Sequence, residues 1–115
     1  MIINMHEMKS NIYNIPGYIA KQDDRYKVID NTKLDNLVLS STELYANQST
    51  SGHIHEGQEE VYYFVNGHGK MWLDDEEFYV ANGDVVQIPD GVYHRVEAGP
   101  EGLYFVCVFE GRRNH

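Results

Sequence analysis

GHIHEGQEE, residues 52–60, sets two of the chain's six histidines at i and i+2 and follows them with three glutamates. In an extended strand, side chains at i and i+2 leave the same face, so His53 and His55 point together while Ile54 turns away. The alternation that follows puts Glu60, Tyr62 and Phe64 on one face and Val61, Tyr63 and Val65 on the other. If the first of these faces is the interior, Glu60 is interior too. A glutamate buried among aromatics is costly unless it is paired or bound to a cation.

A further histidine, His94, closes GDVVQIPDGVYH, residues 83–94, in which Gly83 and Asp84 turn the chain and Pro89 and Gly91 make a second turn. Taken singly, each residue has an ordinary alternative: a histidine pair on a solvated strand edge, or a surface glutamate like Glu56 and Glu59. Taken together, three imidazoles and one carboxylate suit Zn, Fe, Mn, Co or Ni and suit Ca or Mg poorly. Such a set leaves one or two coordination positions open to water or a ligand.

The surrounding chain reads as all-β. Nine of the ten glycines lie from Gly52 onward, and they punctuate short segments rich in Val, Tyr, Phe and Ile. Strands are expected near Leu37–Ala46, His53–His55, Val61–Val65, Lys70–Leu73, Phe78–Val80, Asp84–Ile88, Tyr93–Ala98 and Leu103–Phe109. The turn sequences NGHG (66–69), DDEE (74–77), ANGD (81–84), PDG (89–91) and AGPEG (98–102) divide them. The first 35 residues are weakly patterned, broken by IPG at 15–17, and read as an N-terminal arm with a short strand at Tyr26–Asp30. The division is therefore an arm at 1–35, packing on the barrel or on a partner, and a β-domain at 36–115.

With 115 residues the chain has room for one domain and one core. Nine basic against eighteen acidic residues give a formal charge of −9, which repels phosphodiester backbones, and no basic run exceeds Arg112-Arg113. No nucleic-acid partner is expected. No apolar run approaches the roughly 20 residues of a membrane span, and the N-terminus lacks the pattern of a signal peptide. A cytoplasmic protein without membrane contact is the expectation. Cys107, the single cysteine, sits in the apolar run LYFVCVFE and reads as a small core hydrophobe.

The two histidine segments match the paired motifs of the cupin family. The first, G(X)5HXH(X)3-4E(X)6G, is met by His53, His55, Glu60 and Gly67, with Asn47 at its opening glycine. The second, G(X)5PXG(X)2H(X)3N, is met by Gly83, Pro89, Gly91 and His94, with Ala98 at its closing asparagine. Fifteen residues separate Gly67 from Gly83, which resembles the spacing of compact bacterial-type cupins. The resemblance covers residues 37–110 and is to small single-domain cupins grouped with the C-terminal domains of mannose-6-phosphate isomerases.

The resemblance implies a single double-stranded β-helix, a jelly-roll barrel, with His53, His55, Glu60 and His94 binding one divalent transition metal per chain in its mouth. Counting back from Gly67 selects Glu60 over Glu59. It also implies a small-molecule ligand on the open side of the metal and, as is common in cupins, a homodimer.

Beyond the ligand set, Tyr62 lies one inward step past Glu60 and carries a hydroxyl toward the pocket. Gln87 is the one polar residue of an otherwise apolar strand and is a second candidate pocket residue. Lys70 is the basic side chain expected nearest the pocket. His68, in NGHG, and His6 and His115, near the termini, are expected to be exposed; Arg95 should face away from His94.

Three functions share this set of ligands. The first is a metal-dependent enzyme, an isomerase, epimerase or decarboxylase acting on a sugar, sugar phosphate or oxo acid. The second is an Fe-dependent dioxygenase, and the third a non-catalytic small-molecule-binding cupin. The fold does not choose among them.

Overall fold

The computed structural model describes residues 5–111, so the expectation for His115 falls outside it. Apart from a single 3-10 turn at Met5–Met8, the regular structure is β: β1 Tyr18–Gln22, β2 Tyr26–Asn31, β3 Leu37–Leu44, β4 Glu60–Leu73, β5 Glu76–Ala81, β6 Val85–Ile88 and β7 His94–Glu110. All neighbouring pairs are antiparallel, in the order β1-β2-β3-β7-β4-β5, with β6 also paired to β4. The two long strands β4 and β7 form the spine, and β5 and β6 take successive halves of the far edge of β4. This is consistent with the jelly-roll barrel that the cupin resemblance implied. No helix among the described residues is long and apolar enough to cross a membrane.

Period-two alternation decides what fills the barrel. Tyr26, Val28, Leu44, Phe64, Met71, Val80, Ile88, Val96, Leu103 and Phe105 converge in one core, and Phe64 and Met71 are fully buried. A smaller cluster on the outer face joins Ile15 of the N-terminal segment to Val65 and Val106. The Tyr104 hydroxyl donates to the Ile12 carbonyl oxygen at 2.6 Å and fastens the same segment.

Three expectations are corrected. NGHG is not a turn: β4 runs through it, with bulges after Phe64 and Gly67. Gly67 has φ +99°, and a Cβ there would lie 2.4 Å from the Gly102 carbonyl oxygen, so glycine serves a close crossing of two backbones rather than a reversal. AGPEG is the other side of that crossing, an outward bulge within the continuous strand β7. Finally, the expected strand His53–His55 reduces to one bridge at His53.

The N-terminal segment supplies β2 where a strand was expected, and it supplies β1 where none was. β3 stops before Asn47, whose φ of 61° lies in the left-handed region. Asparagine is among the few non-glycine residues that enter this region readily. That explains how it can stand where the family motif has glycine.

Candidate metal centre

His53 and His94 form an antiparallel bridge in which each backbone N–H donates to the other's carbonyl oxygen, at 3.1 and 2.9 Å. Directly opposed residues project to the same face, so this bridge turns both imidazoles toward the interior. The intervening loop is tied down on both sides. The Gly91 amide donates to the His55 carbonyl oxygen at 3.2 Å, and the Gly57 amide donates to Asp90 Oδ1 at 2.8 Å. Buried Gln58 donates through Nε2 to the Glu110 carbonyl oxygen at 2.8 Å, anchoring the loop to the end of β7.

Glu60 opens β4 between β6 and β7, paired with Ile88 on one side and Phe109 on the other. Its alternation is the expected one: Glu60 and Phe64 are buried and Tyr62 half-buried, while Val61 and Tyr63 are exposed. Glu56 and Glu59 are exposed as well.

His55, Glu60 and His94 are all buried, and one ligand atom from each lies within 4.8 Å of the others. His55 Nε2 stands 3.6 Å from Glu60 Oε1, and His94 Nε2 stands 3.9 Å from Glu60 Oε2. Both distances exceed the roughly 2.7–3.2 Å of a direct hydrogen bond. Donors at about 2.1 Å from one ion lie roughly 3.0–3.5 Å apart, so the trio stands a few tenths of an ångström wider than a closed coordination shell and would have to draw together around a cation. His53 lies outside this tight trio, half-buried, with its ring centroid 5.5 Å from that of His55 and 6.4 Å from that of His94. It lines the same cavity.

The orientation of His94 bears on the same question. Its Nδ1 lies 3.1 Å from the Val92 carbonyl oxygen, and a carbonyl only accepts, so Nδ1 is the donor there and Nε2 is the nitrogen that faces Glu60. Fixing the tautomer through the remote nitrogen is how metal-binding histidines are commonly held. The donor set therefore fits a divalent transition metal, with His55, Glu60 and His94 as its candidate ligands and His53 adjacent.

The cavity beside the trio measures about 50 Å3 and is walled by Tyr26, Thr42, Thr50, Tyr62 and Phe105 among others. The Tyr62 ring meets His94 edge-on at 5.9 Å and stacks on Phe105 at 5.1 Å, which sets an aromatic wall on one side of the trio. Gln87 does not reach it. Paired with Val61, it shares that residue's outward face and is exposed, because β6 buries only Ile88. Lys70 is also placed elsewhere, in a part-exposed ion pair with Glu77 at 3.0 Å. Arg95 faces away from His94 as expected, stacked 3.9 Å over the Trp72 ring and bonded to Ser49 Oγ at 2.9 Å. His68 is exposed.

The basic residue that does line the cavity, Lys21 on β1, was missed by the sequence reading, as were Thr42, Thr50 and Cys107. Only the strand pairing of the N-terminal segment could have revealed Lys21.

Comparison with known proteins agrees with this fold. The cupin domain family matches residues 41–109. An uncharacterized protein of Methanocaldococcus jannaschii is 30% identical over 110 residues, 92% of this chain and 88% of its own. The fold is shared with KdgF from Halomonas sp., at TM-score 0.75 and 18% identity over 84% of this chain and 88% of that one. It is shared also with a predicted oxalate decarboxylase from Thermotoga maritima, at TM-score 0.69 and 23% identity over 74% and 79%.

Proposed function

The chain belongs to the cupin family, and from that premise we propose that it is a metal-dependent enzyme acting on a small oxygen-rich metabolite, by isomerase- or decarboxylase-type chemistry. The observation that carries this reading is the buried trio His55, Glu60 and His94 opening onto its own cavity. A purely structural site would be closed on all sides.

Each residue has a part in the reading. His55 and His94 offer neutral nitrogens, and Glu60 brings a negative charge that offsets a cation. His53, locked to His94 through its backbone, stands ready as a further donor. Tyr62 and Phe105 set an aromatic wall on one side, beside which electrostatic interactions are stronger than at the surface. The Tyr62 hydroxyl can donate to or accept from a bound ligand. A divalent transition ion, when bound, supplies Lewis acidity and open coordination positions.

The cavity favours a small substrate. About 50 Å3 holds roughly four water-sized groups, which suits a short oxo or hydroxy acid better than a sugar phosphate. The structural likeness to a predicted oxalate decarboxylase supports the same size class. The test is elemental analysis of protein purified without added metal, then turnover assays on two- to four-carbon acids. One equivalent of transition metal with carbon dioxide release or isomerised product supports the reading; protein without stoichiometric metal after loading overturns it. Oxygen consumption by the iron-loaded protein would instead favour dioxygenase chemistry.

A further inference from the structure

Lys21 belongs to the N-terminal strand β1, yet it lines the cavity that holds the candidate ligands. A register irregularity puts it there. Ile19 pairs with Ile29 and Lys21 with Val28, so β1 carries one residue more than β2 between these pairs. Under strict alternation Lys21 would share the face of Ile19, which is exposed. The extra residue instead turns two successive side chains inward: Ala20 packs against the main core, and Lys21 lies opposite buried Val28.

Val28 in turn pairs with Thr42, and Thr42 with Phe105. Lys21, Val28, Thr42 and Phe105 thus form one inward row across four strands, and all four line the cavity. A bulge that re-aims a single side chain is a recurrent device next to binding sites. Here it brings an ammonium group to the cavity that Glu60, His55 and His94 also line.

We infer that Lys21 is the anion-recognising side chain of this cavity and that the ligand is a small carboxylate whose charge Lys21 neutralises. The inference rests on the metal-dependent reading above and narrows it. To a neutral polyol an inward ammonium offers hydrogen bonds alone, whereas to a carboxylate it offers hydrogen bonds and charge neutralisation. On a chain of net charge −9, an anionic ligand needs a local cationic group, because the overall field repels it.

The test titrates metal-loaded protein with glycolate and with its neutral amide, glycolamide, by calorimetry, after metal content has been measured. Lys21→Met should keep full metal content, bind glycolate at least tenfold more weakly and bind glycolamide as the unaltered protein does. Lys21→Arg should recover part of the glycolate affinity. Equal glycolate affinity in the unaltered protein and Lys21→Met overturns the inference, as does failure of the metal-loaded protein to bind glycolate. Loss of metal from Lys21→Met also overturns it, since Lys21 would then serve Glu60 rather than a ligand. Should Lys21→Met not fold, Lys21→Gln carries the same comparison. Absence of metal from the unaltered protein is a separate result, read before any titration, and overturns the functional reading itself.

Discussion

His53 and His94 are held together by two reciprocal backbone hydrogen bonds. Two segments distant in sequence thereby acquire a common frame, and the candidate metal centre exists because of that frame. Their side chains can change without loss of the bridge, since both bonds are main-chain.

His94→Ala should therefore fold and yet fail to hold metal. Losing only the outer partner of a ligating histidine costs about 10–100-fold in metal affinity, so losing His94 itself should cost more than about 100-fold. Circular dichroism and elemental analysis on the same sample check this. A folded variant with full metal content would contradict the assignment of His94.

Metal affinity should be lower at pH 5 than at pH 8. An imidazole binds a metal only through a neutral nitrogen, so protons compete with the ion and binding releases them. The stabilisation that metal confers by binding the folded state should accordingly be present at pH 8 and diminish toward pH 5. Equilibrium metal titration and melting curves at the two pH values test it.

Gly67→Ala should destabilise the barrel. A side chain at φ +99° is strained, and its Cβ would lie 2.4 Å from the Gly102 carbonyl oxygen. Strain of this kind costs about 1–3 kcal/mol, and with the clash a fall in Tm on the order of 8 °C is expected. Asn47→Gly should stay within about 0.5 kcal/mol of the unaltered protein, because either residue tolerates a left-handed φ, whereas Asn47→Val should lose about 1–2 kcal/mol. Differential scanning calorimetry distinguishes the three.

Phe64→Ala should cost about 3–5 kcal/mol in denaturant unfolding, as expected for a large aromatic removed from a packed core; Phe64 is 0% exposed. Val61, on the other face of the same strand, is 42% exposed, and Val61→Ala should change stability by no more than about 0.5 kcal/mol. The contrast between these two residues, three apart and on opposite faces, reads the alternation of β4 directly.

The sequence alone determined the all-β class and the common face of Glu60, Tyr62 and Phe64, with Glu59 opposed to it. These follow from a period of two, which is local and survives any uncertainty about partners. The paired histidine segments likewise point to His53, His55, Glu60 and His94. Tertiary structure decided what depends on pairing. NGHG and AGPEG carry the same glycines whether a chain reverses or two strands cross closely, and only the contact of Gly67 with Gly102 distinguishes these. Gln87 faced outward because β6 takes its register from Val61. Lys21 faced inward because β1 holds one residue more than β2 can match. A bulge shifts every following side chain to the opposite face, and its position is a property of two strands together.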